Sequence, residues 1–183
     1  MPLSQLAHVE ANLQGTARRV PGLPLAEIMI CRVALILGRD LTSGLDQMLR
    51  PAGLTEPEFR VLMALFARDG SASPTELCGA LAQSPANLTR IGDSLVKRGL
   101  VSRSNDATDR RRMHLVLRPA GNQLLQSLLP QMCRGVTALF ADFTAAEKTQ
   151  LLGGLKKLLE GIDAVTAQGA GVLEAGPEEA RSA

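Results

Sequence analysis

Three capping boxes pin helix starts to fixed points of this chain, and they constrain its fold more than any other feature. They are Thr55-Glu56-Pro57-Glu58, Ser73-Pro74-Thr75-Glu76 and Thr144-Ala145-Ala146-Glu147. In each, the hydroxyl is spaced to accept from the backbone N–H three residues on, and the Glu to reach back to the cap's own N–H. Ser84-Pro85 marks a weaker fourth start. The first box opens a helix carrying Phe59, Leu62, Met63 and Phe66. The second opens a short helix over 75–82 with Leu77 and Leu81. A tight turn, Gln83-Ser84-Pro85, leads into a helix over 86–98 that Gly99 closes.

After Gly99 the period changes. Leu100-Val101-Ser102-Arg103 and Met113-His114-Leu115-Val116-Leu117 read as two short strands joined by a polar loop, Ser104 to Arg112. Short helix, tight turn, helix and β-hairpin is the winged helix-turn-helix plan. Upstream, Leu3, Leu6, Ala7 and Leu13 suit one short helix that Gly15 and Pro21-Gly22 end. A long helix is expected from Pro24 to about Arg50. Downstream, Leu124, Leu125, Leu128 and Leu129 mark a helix over 119–140, kinked at Pro130. The last box opens a helix striped with Leu151, Leu152, Leu155, Leu158 and Leu159. From about Ala167 the Gly, Ala and Glu content predicts a disordered acidic tail. The fold class is therefore mainly α with a small β-hairpin. The expected organisation is 1–50 N-terminal helices, 51–118 winged helix-turn-helix, 119–166 C-terminal helices and 167–183 tail.

Composition narrows the chemistry. With no Trp or Tyr and only four Phe, the chain has little to stack on splayed bases. Three scattered cysteines, Cys31, Cys78 and Cys133, form no CxxC and suggest a reducing cytoplasm. No stretch reads as a signal peptide or membrane span. Two His and no ligand-spaced cluster argue against a metal site, and no nucleophile elbow, P-loop or dinucleotide fingerprint is present. The chain is expected to be neither an enzyme nor a cofactor binder.

The net charge of +2 hides a segregation. Ser84 to Arg118 carries eight basic and three acidic residues, a local +5 against −3 for the remainder. That is the electrostatic footprint of a duplex-DNA binder. On the 84–98 helix, Leu88, Ile91 and Leu95 share the inward face, while Ser84, Ala86, Asn87, Arg90 and Asp93 occupy the others. The N-terminal half of such a helix reaches base edges, where Asn87 suits adenine and Arg90 suits guanine or phosphate. Taken alone, this is equally a solvated amphipathic face. The loop run Asp109-Arg110-Arg111-Arg112 tips the balance, because Arg at a hairpin tip suits the narrow minor groove. Asp109 is placed to pair with Arg111 and shape the loop.

The stretch from Leu54 to about Leu129 resembles the MarR family of bacterial transcription regulators. The likeness rests on Leu54-Thr55-x-x-x-Phe59, Glu76-Leu77, Thr89-Arg90, Leu95-x-x-Arg98-Gly99-Leu100-Val101 and Asp109-Arg110-Arg111, with a helix after Gly121. Asn87-x-Thr89-Arg90-Ile91-x-Asp93, His114-Leu115 and Ala145-x-Glu147-Lys148-x-Gln150-Leu151 extend it toward the branch that represses multidrug efflux operons. The resemblance implies a homodimer held by terminal helices, a palindromic double-stranded operator, and a small-molecule inducer that is hydrophobic or phenolic. With it, Thr89, Arg98, Arg110, Arg111 and Arg112 join Ser84, Ala86, Asn87 and Arg90 as expected DNA contacts. The family has Thr after the second wing strand; here Arg118-Pro119 stands instead, losing a hydroxyl cap and offering a phosphate contact.

An inducer pocket is expected between the 24–50, 55–69 and 119–140 helices. Met29, Arg32, Leu35, Met63 and Phe66 are its candidate lining, with ordinary core packing, or a salt bridge for Arg32, as the alternative for each. Gly153-Gly154 inside the leucine-striped helix suggest close helix approach at a dimer interface, or else a kink. Two other functions compete: a redox regulator acting through a cysteine, and a winged-helix protein-interaction module that binds no DNA. Cys31 stands beside Arg32, but neighbours on a helix point apart, so all three thiols are read as structural.

Overall fold

A computed structural model describes residues 2–105 and 113–174, with side chains for 5–105 and 113–168. The chain divides into two compact units after Met132. Unit one begins with α1 (Pro2–Ala17) and α2 (Leu25–Leu49), and α2 runs into a 3-10 turn at Arg50–Ala52. Then follow α3 (Glu56–Phe66), β1 (Ser71–Ala72), α4 (Pro74–Leu81), α5 (Pro85–Lys97), β2 (Val101–Asn105), β3 (Met113–Leu117) and α6 (Pro119–Leu139). The second unit holds the end of α6 and α7 (Ala145–Glu174). The fold is mainly helical, with a small antiparallel sheet, as the sequence led us to expect.

All three boxes close. The carboxylates of Glu58, Glu76 and Glu147 accept from the cap N–H groups of Thr55, Ser73 and Thr144 at 2.9, 2.7 and 2.7 Å. In return the cap hydroxyls accept from the Glu N–H groups at 3.4, 3.3 and 3.2 Å. Ser84 caps α5 by accepting from the Asn87 N–H at 3.3 Å. Satisfied first turns explain why such short helices start where they do.

Three boundaries differ from expectation. α1 passes through Gly15 to Ala17, because one glycine costs only about 1 kcal/mol against the bonds of an established helix. α7 continues to Glu174, past the expected tail boundary at 167. Extending a formed helix avoids the nucleation cost, and Ala167, Gln168, Ala170 and Leu173 offset two glycines. The sheet has three strands, not two. β1 pairs with β3 through Ser71↔Val116 and Ala72↔Leu115, giving the order β1-β3-β2. Two residues are too few to show alternation. The turn before β1 uses left-handed backbone at Asp69 (φ 53°) and Gly70 (φ 86°). The Gly70 carbonyl then accepts from the Leu117 N–H at 2.7 Å.

One core unites these pieces. Leu49 of α2, Leu54, Val61, Leu62 and Leu65 of the α3 region, Leu77 of α4, Leu88 and Leu95 of α5, Val101, Leu115 and Leu125 of α6 are buried together. Of the leucines expected on α6, Leu125 is fully buried, and Leu124, Leu128 and Leu129 pack half-buried against the core. In the second unit Phe140 and Phe143 meet edge-to-face, 5.4 Å between centroids, in the turn before α7.

Gly121 is where α6 leans on the wing. A Cβ there would stand 2.4 Å from the Leu100 carbonyl oxygen and 2.8 Å from Leu117 Cδ1. That carbonyl also accepts from the Arg118 N–H at 3.0 Å, so it is not free to withdraw. Gly121→Ala should therefore lower stability by about 1–3 kcal/mol through overpacking. Urea or thermal denaturation reads this directly, and an unchanged midpoint would contradict the close approach.

Candidate nucleic-acid interface

α5 divides cleanly into two faces. Leu88, Ile91, Gly92 and Leu95 are buried, while Ser84, Ala86, Thr89, Arg90, Asp93 and Lys97 are exposed and Asn87 is half-buried. The expected base-facing residues thus share the outward side of one helix. Their side chains are not independent. Asn87 Nδ2 donates to Gln83 Oε1, and Asn87 Oδ1 accepts from Arg90 Nη2 at 3.0 Å. Each end of the amide that suited adenine already has one partner, so Asn87 braces Arg90. The Thr89 hydroxyl donates back to the Pro85 carbonyl at 2.9 Å.

Ion pairs tie α5 to its surroundings. Asp93 pairs with Arg103 of β2, joining the outward helix to the base of the wing. Arg98, expected on DNA, donates to the carbonyls of Ala52 and Gly53, both at 2.9 Å. It also lies 3.6 Å from Glu58. Glu58 is buried, only 7% exposed, and further accepts from the Ser94 hydroxyl at 2.5 Å. Burial pushes its carboxyl pKa up, but the hydrogen bonds from Ser94 and Thr55 and the Arg98 charge outweigh burial. The net shift is below the ordinary value of 4.5. Glu58's reach to α5 was not visible in the sequence, because local spacing reveals the cap but not a partner 36 residues away.

β2 and β3 pair from Val101↔Leu117 to Asn105↔Met113. The expected wing contacts Arg110, Arg111 and Arg112, and Asp109 that was to shape them, lie outside the described residues. Arg118 is exposed at the start of α6.

The five residues expected to line a pocket do not share one described recess. Phe66, 40% exposed, lines a cavity of about 410 Å³ with Asp69, Leu117, Arg118 and Asn122. Met63 packs against the core, Met29 is half-buried on α2, Arg32 is exposed, and Leu35 is 68% exposed. Cys31 and Cys133 are exposed and Cys78 half-buried, all as free thiols. Among the described residues, no helix is long and apolar enough to cross a membrane.

A helix-turn-helix followed by a β-hairpin, with a basic outer face on its second helix, defines a winged-helix DNA-binding protein. Known proteins agree. The MarR family model matches residues 54–113. The transcriptional repressor MprA of Escherichia coli (strain K12) is 34% identical over 94% of this chain and 98% of its own length. Among solved structures, AbsC, a MarR family transcriptional regulator from Streptomyces coelicolor, aligns with a TM-score of 0.71 at 27% identity, over 79% of this chain and 99% of AbsC. A mutant MarR from E. coli complexed with operator DNA aligns with a TM-score of 0.63 at 27% identity, over 75% and 98% of the two chains. The chain belongs to the MarR family and is a DNA-binding transcriptional repressor, whose work is binding and not turnover.

The buried carboxylate makes a pH-dependent prediction. Because the folded pKa of Glu58 is lowered, its stabilisation is fully present above the unfolded value and lost as pH falls through the folded one. Glu58→Gln should cost about 1–3 kcal/mol at pH 7. The gap to the parent should close as pH drops below about 4.5. Denaturant titration across pH measures both. A gap that persists unchanged in acid would show that the charge contributes nothing.

Proposed function

We propose that the protein acts as a homodimer that represses a multidrug efflux operon and releases its palindromic operator when a small hydrophobic or phenolic compound binds. The observation that carries the DNA part is the outward face of α5, where Arg90 stands exposed on an Asn87–Gln83 brace within the +5 segment. Ser84, Ala86, Thr89 and Arg90 approach the major groove, and Arg110, Arg111 and Arg112 enter the flanking minor groove on a loop shaped by Asp109. The efflux target and the inducer class rest on the likeness to the efflux-repressor branch, which spans nearly the whole chain.

Dimerisation is supported by apolar side chains left in solvent. On α7, Leu151, Leu152, Leu155, Leu159, Ile162 and Val165 are between 41% and 70% exposed, and Val136 and Leu139 of α6 are exposed as well. A contiguous apolar stripe of this kind marks an interface. A Cβ on Gly153 or Gly154 would meet nothing within 4 Å in the single chain, so close approach of a second chain is a use that remains for both. Met29, Arg32, Leu35, Met63 and Phe66 stay our candidate inducer wall. The wall sits on α2 and α3. The protein works in the cytoplasm, where its DNA is.

Fluorescence anisotropy with a labelled operator duplex tests the DNA reading. Affinity should fall about a thousandfold between 50 and 200 mM salt if about six phosphates are neutralised. Arg90→Ala should cost about 1–3 kcal/mol of discrimination per half-site. Arg111→Ala should weaken all duplexes evenly and lower the salt slope by about 1 per site engaged. Binding that ignores salt would instead favour a protein-interaction module.

A further inference from the structure

We propose that Arg98, which lies in the most basic part of the chain, is not a DNA contact but the residue that sets the tilt of the recognition helix. This rests on the reading of α5 as the recognition helix.

The guanidinium is the observation. Its Nη1 and Nη2 donate to two successive carbonyls, Gly53 and Ala52, both at 2.9 Å, and Nη1 lies 3.6 Å from the Glu58 carboxylate. Two of the five N–H donors of this planar fork are held by backbone oxygens and a carboxylate stands beside it, so its geometry admits little rotation. One helical turn earlier, Ser94 donates to the other oxygen of the same carboxylate at 2.5 Å. Ser94 and Arg98 are spaced i, i+4 and so share a face. The C-terminal end of α5 is thus fastened at two successive turns to one buried group and to the corner between α2 and α3. The corner itself is stiff. Gly53 is in left-handed backbone (φ 62°), and its N–H donates to the Arg50 carbonyl at 2.9 Å.

Leverage turns this fastening into specificity. Arg90 lies eight residues before Arg98, about 12 Å along the helix, so a tilt of about 5° at the fastened end displaces its base-facing turn by about 1 Å. Bidentate base contacts do not tolerate such a shift, whereas contacts to phosphate, set by charge, largely do. Loss of the clamp should therefore erode specific binding and spare non-specific binding.

The full-length protein and its Arg98→Ala variant are titrated against a selected operator duplex and a scrambled duplex at four salt concentrations, with folded fractions measured in parallel. The expected result for Arg98→Ala is a loss of at least tenfold in specific affinity per folded dimer, with non-specific affinity and salt slope unchanged. Glu58→Gln should lose affinity in the same way, and adding Arg98→Ala to it should cost little more. A salt slope lowered by about 1 per site, with both duplexes weakened, would make Arg98 a phosphate contact and overturn the proposal. A lowered stability with an unchanged ratio of specific to non-specific affinity would make it merely structural, and overturn it equally. Where Arg98→Ala does not fold, Arg98→Lys decides: it keeps the charge but cannot fork across two carbonyls. A parental affinity ratio in that variant contradicts the clamp, and a reduced ratio at parental slope supports it. Failure of the parent itself to bind either duplex in a salt-dependent way would count against the recognition-helix reading, an outcome separate from any difference between parent and variants.

Discussion

The Glu58 carboxylate is the interaction on which the rest of the structure depends. A buried carboxylate is costly unless its oxygens are satisfied. Here they accept from the Thr55 N–H and hydroxyl and from Ser94, with Arg98 beside them. One side chain therefore starts α3 and anchors α5. The consequences run down the chain. With α5 fixed, Gly99 turns the backbone (φ 70°) and Leu100 enters the core. The Leu100 carbonyl then meets Arg118 and forces a glycine at 121, which seats α6. Strand pairing, wing base and helix packing all follow from a corner that one ionised group holds.

Charge reaches DNA only after the protein has used part of it. Of the eight cations between Ser84 and Arg118, Arg98 and Arg103 are committed to internal ion pairs. Those two shape the reading head, one at the end of the helix and one at the base of the wing. Of the others, among the described residues, Lys97, Arg118 and Arg90, which Asn87 holds in place, stand exposed. Net charge was the least informative number about this chain. Its distribution, and then the pairing within that distribution, carried the meaning.

Much of the fold was legible because the helix starts are local events. A hydroxyl cap is read without knowing the tertiary structure, and the four hydroxyl-capped starts at Thr55, Ser73, Ser84 and Thr144 stand. The leucines of α6 and the alternation of β3 were equally local. What escaped depends on distance. β1 exists only because β3 lies alongside it, and two residues carry no period of their own. The charge of Arg98 is visible in sequence, and its two carbonyl partners, 45 and 46 residues away, are not. The candidate pocket residues were chosen by helical spacing, but spacing does not say which face meets a recess, and only Phe66 of the five meets the one that Arg118 lines.

The central claim is that α5, held by Glu58 and Arg98, reads the sequence of duplex DNA. Selection of bound sequences from a random duplex library by the purified protein tests it most directly. The account predicts an enriched inverted repeat whose half-sites are about one helical turn apart. Recovery of no motif above the starting library would contradict it.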